Sequence, residues 1–220
     1  MKIVPIKVDF PDELNIGKNE AGYRDNVYKK IEEAGRTCYK SKNKEGSREI
    51  TESFINGLIL SGHTSVIEHM NFTVRIICDR GTSHQLVRHR HTSISQQSTR
   101  YVSSVDMEVV KPISLEEGTK EFDIWEKAML NAEKDYAELL DLGVSKDIAR
   151  AVLPISAKTE IVLTTNVREW REIIKQRISK YAHENAREVA KQLLILFHSE
   201  VPVLFDDIYQ KEIVENKNIK

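Results

Sequence analysis

Residues 71–101 read NFTVRIICDRGTSHQLVRHRHTSISQQSTRY, and this stretch combines a strand pattern, a helix pattern and a dense polar segment. Apolar and polar side chains alternate over Asn71–Cys78, which predicts a strand. Thr82–Arg90 has the pattern of a helix that follows the strand. Thr92–Ser98 is rich in serine and glutamine and favours neither helix nor strand, so we predict a loop there.

The remaining elements are predicted outward from this stretch. Phe122–Leu142 is predicted to be a long helix, because its apolar residues recur every three or four positions. Strands are also predicted over Lys2–Val8, Asp106–Pro112 and Lys158–Thr165. Further helices are predicted over Arg24–Ala34, Arg48–Ser61, Val167–Lys175 and His183–Ser199. Strands separated by helices, some at hairpin-like spacing, indicate an α+β fold. The length of 220 residues indicates one domain over residues 1–220, with 215–220 as a frayed tail.

The charge of the chain is balanced overall but not locally. There are 33 Lys+Arg against 34 Asp+Glu, a formal net charge of −1, which points to no charged partner for the protein as a whole. Yet residues 80–105 contain no Asp or Glu, although charged residues make up 30% of the chain. The same window holds His84, His89 and His91 and four arginines, Arg80, Arg88, Arg90 and Arg100. A cationic segment within a neutral chain indicates a local site for anions.

Several classes of protein are excluded by what the sequence lacks. No two of the nine glycines are separated by a single residue, which excludes a G-x-G-x-x-G motif, and no Gly-Lys-Ser or Gly-Lys-Thr is present, which excludes a Walker A loop. Any bound nucleotide must therefore be held by side chains, for which the bidentate fork of arginine is suited. Cys38 and Cys78 form no C-x-x-C pair, which excludes a disulfide framework. No apolar run reaches a membrane span of about 18 residues, and we expect a soluble cytoplasmic protein without a signal peptide.

The segment from Arg88 to Tyr101 is open to several interpretations on its residues alone. It could be a solvated basic helix end, since arginine and histidine suit a helix C-terminus. It could bind single-stranded nucleic acid, with Tyr101 as a stacking platform, although aromatic residues are not interleaved through it. A metal site is disfavoured, because His89-x-His91 does not share one helix face and H-E-x-x-H is absent. On a helix, Arg88 and Arg90 would face different ligands or different parts of one ligand.

Arg88-His89-Arg90 is followed after seven residues by Ser98 and then by Arg100-Tyr101, a pattern that resembles the signature of the flavin-dependent thymidylate synthases. Further blocks match in the family's order and near its spacings. They are Gly62-His63-Thr64-Ser65-x-x-Glu68-His69, Gln85, Ala149-Arg150-x-x-Leu153-Pro154, and Asn166-x-Arg168 with Arg177. The resemblance covers nearly the whole chain.

The resemblance implies an enzyme that methylates dUMP to dTMP. The implied carbon donor is 5,10-methylenetetrahydrofolate, and the implied reductant is FAD hydride, recharged by NADPH. A cofactor is needed in any case, because side chains cannot supply a hydride. The implied fold is a single α+β domain of the thymidylate-synthase-complementing type, with a mainly antiparallel sheet flanked by helices. The implied assembly is a homotetramer with FAD sites shared between subunits, and no nucleic acid, membrane or metal is expected.

The resemblance also implies the residues of the site. Those expected to bind FAD are Ser65, Arg88, His89, Arg90, Gln96, Asn166 and Arg168. Those expected to surround dUMP are Gln85, Arg88, Gln96, Gln97, Ser98, Arg100, Arg150 and Arg177. Arg177 is the implied catalytic residue, because a permanently charged guanidinium can stabilise the negative charge that develops as N3 of uracil ionises. His63 is similar to a histidine on the folate and flavin side.

Two features qualify the implied chemistry. Ser98 is expected to contact dUMP rather than act as a nucleophile, since no base–orienter pair stands at recognisable spacing. Cys38 and Cys78 lie in no matched block, which agrees with activation of dUMP without covalent attack by the enzyme.

The chain departs from the family pattern at Ser95-Gln96, where some relatives have Asn-Glu, and at Glu172, where some have an amide near FAD.

Overall fold

The computed structural model describes residues 1–15, 17–40, 48–100 and 106–215. Tyr101 of the signature, residues 41–47 and residues 216–220 of the predicted frayed tail lie outside these ranges. The strands are β1 (Lys2–Ile3), β2 (Lys7–Asp9), β3 (Asn71–Asp79), β4 (Ser93–Gln96), β5 (Glu108–Val109) and β6 (Lys158–Asn166). The α-helices are α1 (Tyr23–Tyr39), α2 (Arg48–Leu60), α3 (Arg80–Leu86), α4 (Lys120–Asp141), α5 (Lys146–Ala149), α6 (Val167–Arg177), α7 (Glu184–Glu200) and α8 (Asp206–Tyr209).

The central sheet has four antiparallel strands in the order β2-β3-β6-β4. β3 and β6 pair over nine residues, from Asn71 opposite Asn166 to Asp79 opposite Lys158. Every second residue of β3 from Phe72 onward is buried, as the alternating pattern predicts. With helices packed around this sheet, the prediction of an α+β fold with a mainly antiparallel sheet is confirmed.

The predicted strand Lys2–Val8 is wrong in its extent, because the segment is divided between two sheets. β1 pairs in parallel with β5, whereas β2 pairs with β3 in the central sheet. Pro5 lies between the two strands and has no N–H for a continuous ladder. Of the predicted strand Asp106–Pro112, only Glu108–Val109 forms one.

The predicted loop Thr92–Ser98 is also wrong, since β4 is an edge strand of the central sheet. Ser93 lies opposite Thr164 and Gln96 opposite Ile161, and the N–H of Gln97 donates to the carbonyl of Glu160 at 2.8 Å. The backbone ladder supplied by β6 decides the conformation here, although the side chains have little strand preference of their own.

The helix predicted over Thr82–Arg90 begins and ends earlier than expected. Asp79 is its N-cap, accepting from the N–H of Thr82 at 2.6 Å, and α3 ends at Leu86. Arg88, His89 and Arg90 therefore lie in a turn rather than on a helix. In that turn the side chain of His89 is buried, while those of Arg88 and Arg90 are exposed.

The main core holds α6 and α7 against β3. The rings of Trp170 in α6 and Phe197 in α7 are fully buried, with centroids 5.3 Å apart. The indole N–H of Trp170 donates to the carbonyl of Phe72 at 3.0 Å. This packing fixes the position of α6, which carries Arg177 at its last turn. Within the described residues, no helix is long and apolar enough to span a bilayer.

Candidate active site

His89 lies at the centre of a hydrogen-bonded chain that joins the turn after α3 to both ends of α6. Arg177 donates from Nε to Nε2 of His89 at 3.2 Å and from Nη2 to the carbonyl of Gln85 at 3.0 Å. On the opposite side of the ring, Nδ1 of His89 lies 3.2 Å from Oε1 of Glu169. The structure thus brings together three predicted site residues, Gln85, His89 and Arg177, and adds Glu169 to them.

Burial shifts the pKa values of His89 and Arg177. The pKa of His89 is lowered by burial and, to a smaller extent, by the charge of Arg177, while Glu169 and Glu172 oppose the shift. Burial also lowers the pKa of the Arg177 guanidinium, although arginine retains its charge in proteins. The arrangement is a neutral imidazole that accepts a hydrogen bond from a charged guanidinium.

Beside this chain of hydrogen bonds lies a polar cavity of about 460 Å³. Its lining residues are Glu68, His91, Asn166, Arg168, Glu169 and Glu172. Asn166 caps α6 by accepting from the N–H of Glu169 at 2.9 Å, and Arg168 donates to Glu68 at 2.5 Å. The cavity contains two of the residues predicted to bind FAD, Asn166 and Arg168, at the N-terminus of a helix, but its three glutamates make it acidic and unsuited to phosphates.

The cationic residues of the turn are available to a ligand. Arg88 and Arg90 are exposed, and neither side chain has a hydrogen bond or ion pair with the rest of the described chain. Free guanidinium groups suit the phosphates of a dinucleotide. The buried Oε1 of Gln97, which has no hydrogen-bond partner, adds an acceptor that a heterocycle could satisfy. The residues present therefore fit a nucleotide ligand such as FAD or dUMP.

A second group of predicted residues surrounds the end of β4. Nε2 of Gln96 donates to Oγ of Ser83 at 2.9 Å, and the N–H of Arg100 donates to Oγ of Ser98 at 3.2 Å. Arg100 and Arg150 both pair with Oδ1 of Asp147, at 2.9 and 3.0 Å. These pairs are exposed, so they hold the two arginines only weakly and leave them accessible to an anion.

The two groups meet at α3. Gln96 donates to Oγ of Ser83 at 2.9 Å, and Arg177 donates to the carbonyl of Gln85, two residues further along that helix, at 3.0 Å. The turn after α3 is held to β6 as well, since Oγ1 of Thr165 donates to the carbonyl of His91 at 2.6 Å. One chain therefore brings Gln85, Gln96 and Arg177 to the same helix.

His63 and Ser65 are exposed side chains of a short segment before β3. His63 precedes a 3₁₀ helix over Thr64–His69, which buries Val66 and Ile67. Glu68, one turn after Ser65, is the residue of this segment that lines the polar cavity, and it pairs with Arg168.

Comparison with known proteins identifies the family. A family model described as thymidylate synthase complementing protein matches residues 22–203. The chain belongs to the thymidylate synthase complementing protein family. It is 36% identical over 196 residues to a protein of Corynebacterium aurimucosum named flavin-dependent thymidylate synthase, covering 81% of this chain and 79% of that protein. A Mycobacterium tuberculosis protein of the same name is 35% identical over 194 residues, covering 80% and 78%.

A solved structure agrees with the fold of the thymidylate synthase complementing proteins. The chain is similar to PolB of Streptomyces cacaoi, described as a UMP/dUMP methylase bound with 5-Br dUMP. The TM-score is 0.75 at 22% identity, covering 94% of this chain and 96% of that chain. At this identity the likeness supports the fold alone. The resemblance drawn from the sequence motifs is confirmed at the level of the family.

Sequence reasoning missed Glu169 because its local pattern predicts another role. Asn166-x-x-Glu169 at the start of a helix has the spacing of a capping box, in which the glutamate turns back to the N-cap. In this member of the family, Oε1 of Glu169 instead lies beside the ring of His89, 80 residues away in sequence. No local signal in the sequence would have predicted that contact.

The lowered pKa of His89 predicts how stability depends on pH. An unfolded histidine titrates at about 6.5, so below that pH the unfolded state binds more protons than the folded state. The free energy of unfolding of the unmodified chain should therefore fall as pH drops from about 7 towards 5, by up to about 1.4 kcal/mol per unit. His89→Gln removes this contribution. Urea denaturation of both proteins between pH 5 and 8 checks it, and parallel pH profiles would contradict it.

Proposed function

We propose that the chain is a flavin-dependent thymidylate synthase that methylates dUMP to dTMP. In this proposal 5,10-methylenetetrahydrofolate supplies the carbon, and FAD, recharged by NADPH, is the reductant. The observation that carries it is the placement of Arg177, a half-buried guanidinium fixed by His89 and Gln85 in a family whose relatives have this name. The unpaired arginines of the signature turn support a site for anionic ligands.

Arg177 is the proposed catalytic residue. Two of its five N–H groups are held by His89 and Gln85, which leaves three for a ligand. A guanidinium positioned before the reaction stabilises charge that develops in the transition state without reorganising. We therefore propose that Arg177 stabilises the negative charge that develops on the uracil ring as N3 ionises. This charge prepares C5 for reaction.

The turn after α3 and the cavity are the proposed FAD site. The residues assigned to it are Ser65, Arg88, His89, Arg90, Gln96, Asn166 and Arg168. When bound, FAD would supply the hydride that no side chain can provide. Arg88 and Arg90 are proposed to hold its phosphates, and His91, Glu68 and Glu172 suit its ribose and adenine edges rather than its phosphates. His63 is assigned to the folate and flavin side of the site.

We propose that the protein is a homotetramer with FAD sites shared between subunits, as the resemblance to the family implies. In this proposal Asn166 and Arg168 are supplied across the interface. Three of the predicted dUMP residues already meet at α3 within one chain, where Gln96 donates to Ser83 and Arg177 donates to the carbonyl of Gln85.

The cysteines support a mechanism without a covalent enzyme nucleophile. Cys78 is fully buried, and burial raises the pKa of its thiol to about 12, so it is not a thiolate at neutral pH. Cys38 is exposed on α1 and is not part of either residue group. Oγ of Ser98 accepts from the backbone of Arg100 and has no general base beside it in the described residues. Activation of dUMP is therefore assigned to Arg177.

An oxidation assay tests the proposed function. Purified protein should be yellow with bound flavin, and it should oxidise NADPH in a manner that depends on dUMP. Adding methylenetetrahydrofolate should yield dTMP, measured by chromatography. A colourless protein that cannot be reconstituted with FAD would contradict the proposal. Tight, steeply salt-dependent binding of single-stranded DNA by such a protein would favour the nucleic-acid interpretation of the basic segment.

A further inference from the structure

The hydrogen bonds around His89 determine which ring nitrogen carries the proton. Arginine can only donate, so Nε of Arg177 at 3.2 Å requires Nε2 of His89 to accept. In a neutral imidazole the proton must then lie on Nδ1. That nitrogen lies 3.2 Å from Oε1 of Glu169, which accepts it. The donors therefore run in one direction, from Arg177 through His89 to Glu169.

Glu169 is held in place for this contact. Its backbone N–H donates to Oδ1 of Asn166 at 2.9 Å, which fixes it in the first turn of α6. A carboxylate there is favoured by the helix dipole. Its side chain is 16% exposed and that of His89 is 6% exposed, so water competes little for the bond between them. The charged groups that bear on the His89 ring are Glu169, Glu172 and Arg177.

We propose that Glu169 is a positioning residue for Arg177, acting through His89. By accepting the Nδ1 proton it holds His89 in the one tautomer that can receive the Nε–H of Arg177. Without an acceptor at Nδ1, the proton can move to Nε2. Two N–H donors, those of His89 and Arg177, would then face each other and could not form a hydrogen bond. The guanidinium would then lose one of its two anchors and its orientation towards the substrate. This inference rests on the proposed function, which gives Arg177 its role.

Substitutions at Glu169 separate this role from a structural one. Glu169→Gln keeps an acceptor oxygen for Nδ1, so its kcat for dTMP formation should stay within about threefold of the unmodified enzyme. Glu169→Ala removes the acceptor, and kcat per bound flavin should fall about 10- to 100-fold, by analogy with the loss of the partner that orients a metal-bound histidine. KM for dUMP should change much less than kcat. Flavin content and thermal midpoint are measured alongside.

A double-mutant cycle tests whether Glu169 acts through Arg177. In an Arg177→Lys background the ammonium cannot reproduce the Nε–H bond to His89. Adding Glu169→Ala to that background should change kcat less than about twofold, because residues that act together are not additive. If Glu169→Ala has the same fold effect in both backgrounds, Glu169 does not act through Arg177 and the proposal is overturned.

Other outcomes are also decisive. An unmodified enzyme without dUMP-dependent activity would defeat the proposed function itself. In an active enzyme, a Glu169→Ala variant with normal kcat, or one that only loses flavin, would overturn the positioning role alone. If Glu169→Ala does not fold, Glu169→Asp replaces it. The shorter carboxylate keeps the charge but withdraws the oxygen from Nδ1, so its kcat should fall well below that of Glu169→Gln. The reverse order would overturn the proposal.

Discussion

Arg177→Ala is expected to abolish most dTMP formation while leaving flavin bound. The substitution removes the charge assigned to the ionising uracil ring, and loss of one preorganised donor of this kind lowers kcat by about 10²- to 10³-fold. Flavin should remain, because Arg88, Arg90 and the cavity at the start of α6 do not depend on Arg177. Turnover of dUMP and the flavin absorbance of the same preparation are the two measurements.

Arg177→Lys should also be poor, since an ammonium keeps the charge but not the planar fork that reaches both His89 and the carbonyl of Gln85. Arg187→Ala is a matched control. Arg187 lies on α7, and its guanidinium donates to the carbonyl of Lys180 rather than to a site residue. Its activity should stay within about twofold of normal. Near-normal turnover by Arg177→Ala would remove Arg177 from its catalytic role.

Local periodicity was sufficient to predict the elements whose own residues decide their conformation. β3 and α4 lie within two residues of their predicted bounds, because alternation and the three-to-four-residue repeat are properties of each segment alone. The family was predicted from motifs for a similar reason, since Arg88-His89-Arg90 and Ser98 are close in sequence. Composition had pointed only to an anion, and the motifs extended the site to Arg150, Arg168 and Arg177.

What the sequence could not predict depends on partners far along the chain. Ser93–Gln96 forms a strand because β6 supplies its ladder, and His89 is buried because Glu169 and Arg177 contact it from α6. Motif spacing also says nothing about distance in space. The motifs grouped Gln96 and Arg177 around one ligand, and it is the fold that brings both to α3, at Ser83 and at the carbonyl of Gln85.

Asp79→Ala is expected to cause the largest loss of stability of the substitutions considered. Asp79 is 4% exposed and accepts three hydrogen bonds: from the N–H and Oγ1 of Thr82 at 2.6 and 2.7 Å, and from Nδ2 of Asn185 at 2.9 Å. Asn185 in turn accepts from the N–H of Ile113 at 3.1 Å. The Asp79 carboxylate therefore links β3 to α3 and α7, and Asn185 connects this group to the segment around Ile113.

Removing this carboxylate removes a helix cap, worth about 1 kcal/mol, and leaves buried donors of Thr82 and Asn185 unpaired, at about 1–3 kcal/mol each. We expect a loss of at least about 3 kcal/mol in the free energy of unfolding, the lower end of that sum, measured by urea denaturation at fixed protein and FAD concentrations. Thr119→Ala is the matched control, because Thr119 caps the exposed start of α4 through one bond to the N–H of Phe122 at 3.2 Å. Its loss should be about 1 kcal/mol. If the two substitutions lower the free energy of unfolding by the same amount, Asp79 acts only as a helix cap. In that case packing alone holds α3, which leads to the signature turn, in place.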